Sequence, residues 1–148
     1  MWGSASDGRN MYVAISDYVA DGKLNPKAGG LLALRLSDGQ ELWRTVVSGC
    51  GDNTACSPAQ PAAVTLIPGA VFSGSRDGHI RAYETSGGRV IWDFDTSREF
   101  PTVNGVKARG GSLDGPGAVV AGGMVYVVSG YARNGGMAGN VLMAFSAE

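Results

Sequence analysis

The residues best suited to chemistry lie in one glycine-rich stretch, residues 104–114. It holds an amide at Asn104, a guanidinium at Arg109, a hydroxyl at Ser112 and a carboxylate at Asp114. The forked donor of an arginine suits an anionic cofactor, and the oxygens of Asn104 and Asp114 suit a calcium ion. We take all four as candidate cofactor ligands and those two as candidate metal ligands. The alternative is a turn whose polar groups bond to one another.

The single histidine, His79, does not support a Ser-His-Asp arrangement. It follows Gly78 at the predicted start of a strand. A histidine satisfied by hydrogen bonds within the sheet is the simpler interpretation there, and a general base is the alternative. The sequence therefore identifies no catalytic residue.

Cys50 and Cys56 flank a five-residue segment. A disulfide closing this loop and two free thiols are both open, whereas a zinc site would lack ligands because His79 is distant in sequence. A disulfide would indicate an oxidising compartment.

Composition favours an all-β domain without a nucleic-acid partner. The 148 residues carry 13 acidic and 12 basic side chains, so no polyanion-binding charge is present. The 24 glycines are spread between apolar runs, as many short strands joined by tight turns require. No apolar run reaches the roughly 18 residues of a membrane span. We expect Met1 to be an internal start.

A repeat links alanine, glycine and tryptophan. Glycine follows alanine by six positions and tryptophan by ten, at Ala33 and Trp43 and again at Ala82 and Trp92. A third copy begins at residues 139–145. Spacings of about 50 to 60 residues are typical of propeller blades. The fixed place of Trp43 and Trp92 predicts structural anchors between blades, and a stacking platform for a ligand is the alternative.

Each copy predicts four strands: a small-residue strand, an apolar strand, the alanine strand and the tryptophan strand. The first of these is expected at 3–5, 61–66 and 116–120, and the second at 10–15, 70–73 and 124–128. The fold is therefore a partial β-propeller of about three four-stranded antiparallel blades. The blades span approximately residues 2–45, 58–96 and 112–148 of a single unit.

The long connections are expected on one face. Strands alternate in direction within a blade, so the tight turns leave by one face and the long connections by the other. The long connections are predicted at 17–29, 46–58, 93–111 and 130–138. Long loops on a rigid scaffold are where function concentrates.

Five strings resemble the C-terminal part of polyvinyl alcohol dehydrogenase-like quinoproteins, and the repeat itself resembles the tryptophan-docking motif of quinoproteins. The strings are FSGSRDGHIRAY at 72–83, WDFDT at 92–96, RGGSLDGPGAVVAGGM at 109–124, SGY at 129–131 and GNVLMAF at 139–145.

This resemblance implies a periplasmic or secreted bacterial enzyme. Such an enzyme oxidises secondary alcohols with pyrroloquinoline quinone and calcium and passes electrons to a cytochrome. The exported setting favours the disulfide between Cys50 and Cys56. A non-catalytic propeller used for binding or assembly is the alternative, because the same repeat serves outer-membrane assembly scaffolds.

Three blades are too few for a whole ring, so we expect the chain to be incomplete as an enzyme on its own. Repeats in such arrays need neighbours on both sides. Bare ends carrying Val13, Ile15, Leu32, Leu34, Leu36, Val141 and Met143 would expose a broad apolar surface. We expect further blades to cover them, from copies of the chain or from a parent chain, and a cyclic dimer or trimer is the natural closed form.

Overall fold

The computed structural model describes residues 3–17, 19–20, 23–25, 27–47, 50, 56–132 and 135–146, and contains no α-helix in these ranges. The strands are β1 (Ala5–Ser6), β2 (Asn10–Ala14), β3 (Val19–Ala20), β4 (Lys23–Leu24), β5 (Leu31–Arg35), β6 (Glu41–Thr45), β7 (Thr65–Ile67), β8 (Ala70–Gly74), β9 (His79–Glu84), β10 (Val90–Asp95), β11 (Glu99–Phe100), β12 (Ala108–Arg109), β13 (Val119–Ala121), β14 (Met124–Ser129) and β15 (Val141–Ser146). The predicted all-β fold is confirmed.

Three antiparallel sheets form the blades. Blade 1 has the order β1-β2-β5-β6, blade 2 the order β7-β8-β9-β10, and blade 3 the order β13-β14-β15. Blade 3 thus has three strands in the described part of the chain. Two small hairpins, β3 with β4 and β11 with β12, lie within the connections at 17–29 and 93–111. The latter connection starts later than predicted, because Asp93 and Asp95 still belong to β10.

The first strand of each blade starts later than the sequence predicts. The small-residue segments 61–64 and 116–118 are not strands, and β7 and β13 follow them. The backbone bonds of residues 63 and 64 go to neighbouring blades: Ala63 N–H donates to Gly115 O at 3.1 Å and Val64 N–H to Gly3 O at 3.2 Å. These segments therefore tie blades together, and β7 lies against both β1 and β13 near the axis.

Two apolar layers fill the spaces between blades. The layer between blades 1 and 2 contains Tyr12, Leu31, Ala33, Val64, Val71 and Tyr83. The layer between blades 2 and 3 contains Phe72, Ile80, Ala82, Leu113, Ala118 and Val127. Trp92 packs onto the second layer, with its ring edge-to-face against Phe145 at 5.0 Å between centroids.

Trp43 of blade 1 docks on the turn between the last two strands of blade 2. Its indole N–H donates to Thr85 O at 2.9 Å, and Thr45 Oγ1 donates to Gly88 O at 2.6 Å. Gly88 has φ +72°, and a Cβ at this position would lie 2.7 Å from Trp43 Cδ2. The glycine of the repeat is therefore the surface that receives the tryptophan of the preceding blade.

Blade 3 presents a different apolar face from the one expected. Val141 and Met143 pair with Ser129 and Val127 and are buried against blade 2, so the prediction that they line a bare end is wrong. The alternate positions point outward instead. The exposed apolar side chains on this face are Val119, Tyr126, Val128 and Leu142. At the other end, Leu36 of blade 1 is exposed as predicted, whereas Leu32 is buried.

No helix with the length and apolar character needed to cross a bilayer occurs among the described residues.

A matched pair of glycine substitutions tests the docking contact. Gly39 and Gly88 hold the same place in the repeat and the same φ of +72°, but only Gly88 lies against a tryptophan. Gly39→Ala should cost only the roughly 1–2 kcal/mol of a left-handed backbone. Gly88→Ala should cost clearly more, because its methyl group also displaces Trp43. Urea unfolding of the two variants measures both costs, and equal costs would contradict the docking account.

The outer face of blade 3 should drive self-association of the 148-residue chain. Light scattering across a concentration range should show a dimer or trimer. Leu142→Lys, at a side chain 66% exposed on that face, should shift the particle towards monomer. Ile91→Lys is the control, because Ile91 is an exposed side chain on blade 2. A stable monomer of the unchanged chain at micromolar concentration would show that the face needs no cover.

Candidate functional site

The connections opposite the tight turns meet on one face, called here the loop face. Thr96, just after β10, donates its hydroxyl to Gly78 O at 2.6 Å and lies 2.7 Å from the hydroxyl of Ser129, the last residue of β14. Between blades 1 and 2, Gln60 N–H donates to Ile15 O at 3.0 Å. The antiparallel register and these bonds place the described parts of the long connections together.

A buried polar cluster on the loop face joins Arg76, Ser112 and Asp114, and we call it the loop-face cluster. Arg76 Nη1 donates to Asp114 Oδ2 at 2.7 Å, and the two side chains are only 5% and 9% exposed. Ser112 Oγ donates to Arg76 O at 2.8 Å and accepts from Met137 N–H at 2.8 Å. The cluster therefore ties the β8–β9 turn to the segment that leads into the innermost strand β13.

Burial makes this ion pair costly to disrupt. A charge left alone in such a site keeps its desolvation penalty, so removal of one partner of a buried pair costs about 3–5 kcal/mol. Replacement of both partners by apolar side chains is often neutral. Stability alone therefore does not require an ion pair at this position, which makes Arg76 and Asp114 candidates for a functional role.

A second polar network lies on blade 2 and is structural. Arg81 donates to Asp77 Oδ2 at 2.9 Å and to Asp93 Oδ2 at 3.0 Å. Burial of Arg81 works against its charge, but the carboxylates of Asp77 and Asp93 outweigh this and raise its pKa. Asp93 Oδ1 also lies 2.6 Å from His79 Nδ1. His79 is thus hydrogen bonded within the blade, as the simpler interpretation of the sequence predicts.

Gln60, in the segment ahead of β7, is a further buried polar side chain. It is fully buried, its Nε2 donates to Tyr83 Oη at 2.9 Å, and its Oε1 accepts from Ser73 Oγ at 2.8 Å. Burial raises the pKa of Tyr83 to about 12, so the phenol stays neutral at physiological pH. The side-chain bonds of Gln60 thus all go to uncharged groups of blade 2, in contrast to the Arg76–Asp114 ion pair.

The structure separates the four residues selected from the sequence into two places. Ser112 and Asp114 lie together in the loop-face cluster. Arg109 is exposed, and its Nη2 donates to Ser97 O at 3.2 Å. Asn104 is exposed in the loop of the β11–β12 hairpin, where its Oδ1 accepts from Thr102 Oγ1 at 2.8 Å and Val106 N–H at 3.2 Å. Asn104 therefore caps its own turn, in the manner of the alternative considered for this stretch.

Arg76 is the functional candidate that the sequence reasoning missed. The connection between β8 and β9 is only four residues long, so it did not stand out among the long loops. Strand direction nevertheless places this turn on the loop face. The useful signal was the position of a Ser-Arg-Asp-Gly turn between the second and third strands of a blade, rather than its length.

The described residues contain no group of three or more histidine, cysteine, aspartate or glutamate side chains placed to hold a metal ion. Cys50 and Cys56 are joined by a disulfide, with their Cα atoms 5.5 Å apart. Residues 51–55 of the predicted connection 46–58 lie outside the described ranges.

Comparison with known proteins finds dehydrogenases among the relatives of this chain. The chain is 45% identical to a polyvinylalcohol dehydrogenase from Pseudomonas sp, over 99% of the chain and 24% of that protein. It is 41% identical to a polyvinylalcohol dehydrogenase from Sphingopyxis sp. (strain 113P3), with the same coverage of both chains. The chain thus spans about a quarter of the length of these relatives.

A solved structure shows the same fold. The quinohemoprotein alcohol dehydrogenase ADHIIG from Pseudomonas putida HK5 superposes with a TM-score of 0.65 at 21% identity, over 99% of this chain and 19% of that one. The family model described as outer membrane protein assembly factor BamB matches residues 28–148. The chain therefore belongs to this PQQ_2 family of β-propeller repeat proteins.

Proposed function

We propose that the chain is a segment of a quinoprotein dehydrogenase that oxidises secondary alcohols with pyrroloquinoline quinone and calcium, and that it is incomplete as an enzyme on its own. The observation that carries this proposal is the 45% identity to a polyvinylalcohol dehydrogenase across 99% of the chain. Such identity across nearly the whole chain supports a shared role within a larger ring, because blades of one ring contact one another and diverge together.

The donor chemistry of the loop-face cluster fits an anionic quinone. Arg76 supplies guanidinium N–H groups, Ser112 a hydroxyl and Asp114 a carboxylate, next to the innermost strand. When bound, the quinone accepts the two electrons and two protons that leave the alcohol, which becomes a ketone. Arg76 would orient a carboxylate or quinone oxygen, and Asp114 would hold the Arg76 guanidinium in place.

Calcium fits the described residues less fully. Asp114 is an oxygen ligand of the right kind, but Asn104 already uses its amide oxygen in its own turn. Calcium takes six to eight oxygen ligands. If Asp114 is one of them, the remaining ligands come from other blades of the ring, and Asn104 would join them only if the β11–β12 hairpin moved.

The same proposal assigns a compartment and an electron acceptor. The disulfide between Cys50 and Cys56 is consistent with an oxidising compartment, which supports a periplasmic or secreted location. Reoxidation of the reduced quinone then requires an exported redox partner, and a cytochrome is a suitable one.

A second candidate function is a non-catalytic propeller that binds or assembles other proteins. Two observations favour it. The matching family model is described as an assembly factor. In addition, every buried side-chain nitrogen or oxygen among the described residues already has a hydrogen-bond partner within the chain. A scaffold of this kind would use its loop face for protein contacts and would need neither Arg76 nor Asp114.

A chimeric enzyme distinguishes the dehydrogenase proposal from the scaffold proposal. The matched quarter of the Pseudomonas sp polyvinylalcohol dehydrogenase is replaced by this chain, and dye-linked oxidation of 2-propanol and polyvinyl alcohol is measured with added quinone and calcium. We expect activity within about tenfold of the parent enzyme, because the blades are interchangeable parts of one site. A folded chimera that binds no quinone and oxidises neither alcohol would contradict the dehydrogenase proposal and favour the scaffold.

Variants of the chimera test the loop-face cluster. Arg76→Met combined with Asp114→Leu replaces the ion pair by apolar side chains of similar size, so stability should stay near that of the unchanged chimera. Activity should nevertheless fall at least tenfold if these groups act on the cofactor. Arg44→Met is the control, because Arg44 lies in an exposed ion pair with Glu41 on blade 1 and its loss should leave the activity nearly unchanged. Full activity in the double variant would show that the cluster is only structural.

A further inference from the structure

Tyr131 stands where the other two blades have an aspartate. In every blade the second strand carries an aromatic residue opposite the repeat alanine, and these residues are Tyr12, Phe72 and Tyr126. The residue five positions further along the chain is Asp17 in blade 1, Asp77 in blade 2 and Tyr131 in blade 3. All three follow the end of the second strand, on the loop face.

The two aspartates stabilise the chain that returns to the third strand. Asp17 Oδ1 accepts a hydrogen bond from Gly29 N–H at 2.7 Å, and Asp77 Oδ1 accepts one from His79 N–H at 3.0 Å. Side-chain oxygens of aspartate commonly satisfy backbone N–H groups in this way. Tyrosine at the third position gives up such a carboxylate. A departure from a local structural rule, on the face where the long connections meet, is where a functional role is expected.

The side chain of Tyr131 packs instead on the segment that carries the loop-face cluster. Its backbone N–H donates to Ser112 O at 2.9 Å. A Cβ added at Gly115 would lie 3.1 Å from Tyr131 Cε1 and 3.2 Å from Cζ, so one edge of the ring lies on the bare backbone of this glycine. The hydroxyl is bonded to Cζ and therefore lies beside Gly115, the residue that follows Asp114.

The Tyr131 hydroxyl is free to bind a ligand. The residue is half-buried, and its hydroxyl makes no hydrogen bond to another described residue. The buried tyrosines differ in this respect, because Tyr12 Oη donates to Asp7 Oδ2 at 2.9 Å and Tyr83 Oη accepts from Gln60 Nε2 at 2.9 Å. A phenol combines an apolar ring with one O–H donor, which suits an aromatic ligand that carries anionic oxygens.

From these observations we infer that Tyr131 binds the quinone together with the loop-face cluster. Its hydroxyl donates a hydrogen bond to a carboxylate or carbonyl oxygen of the bound quinone, and Gly115 holds the ring in the position that allows this. Arg76 supplies the positive charge, and Tyr131 adds a neutral donor that brings no second charge to be desolvated. This inference rests on the proposed function and adds to it a residue that binds the cofactor.

The test measures binding of pyrroloquinoline quinone to the chimeric enzyme by equilibrium dialysis with calcium present. Tyr131→Phe keeps the ring on Gly115 and removes only the hydroxyl. The variant should bind the quinone about tenfold more weakly, because a hydrogen bond to a charged group is lost. Its unfolding temperature without quinone should match that of the unchanged chimera. Tyr126→Phe is the matched control and should keep the affinity, because Tyr126 lies on the outer face of blade 3.

A second variant tests the contact with Gly115. Gly115 has no left-handed φ, so the methyl group of Gly115→Ala acts mainly by moving the tyrosine ring by a few tenths of an ångström. It should also weaken quinone binding. The losses from Gly115→Ala and Tyr131→Phe should not add in the double variant, because both changes act on the same hydrogen bond. Fully additive losses would contradict the role assigned to Gly115.

The outcomes separate this inference from the proposed function. Unchanged quinone affinity in Tyr131→Phe would overturn the inference and leave the proposed function intact. A lower affinity matched by an equal loss of stability would assign Tyr131 a structural role and would overturn the inference as well. A folded chimera that binds no quinone at all would overturn both.

Discussion

The contact between the tryptophan of one blade and the glycine turn of the next is the interaction on which this architecture depends. A single antiparallel sheet of four short strands has two faces to cover and is marginal alone. Trp43 covers one such face. Its only polar group, the indole N–H, donates a hydrogen bond to Thr85 O of the neighbouring blade. The same contact explains the glycine of the repeat, because Gly88 leaves the space that the indole ring occupies, whereas space around Gly39 is open.

Rigid docking of the blades also determines where chemistry can occur. It fixes the loop-face ends of the strands, and the turn with Arg76 meets the segment with Asp114 only because blades 2 and 3 are held together. The ion pair between them is almost fully buried, in contrast to the exposed pairs Arg35–Asp38 and Arg44–Glu41 on blade 1. Exposed pairs contribute little, so among the described residues electrostatics matters most at the buried pairs Arg76–Asp114 and Arg81–Asp77.

The sequence predicted the repeat, the all-β fold and the common face of the long connections, because strand alternation and turn chemistry are local properties. It misplaced the innermost strands, since the segment at 61–64 is apolar and extended but bonds to neighbouring blades instead of its own sheet. It also misjudged Val141 and Met143. Apolar character alone does not say which face of a strand is buried, and only the register with β14 decides that.

The candidate site was harder to predict for the same reason. Ser112 and Asp114 were recognised as polar residues ahead of an innermost strand, but their partner Arg76 lies 36 and 38 residues away. No local pattern brings these residues together. Asn104 and Arg109 were grouped with them by proximity in sequence, and the hairpin formed by β11 and β12 instead places both on the surface.

The most direct test of the interlocked blades is the environment of the Trp43 indole in solution, measured by NMR. The structure requires slow exchange of the Trp43 indole N–H, because it is hydrogen bonded to Thr85 O, and nuclear Overhauser contacts between the indole ring and the Hα protons of Gly88. An indole N–H that exchanges at the rate of a free tryptophan, without contacts to Gly88, would contradict the account.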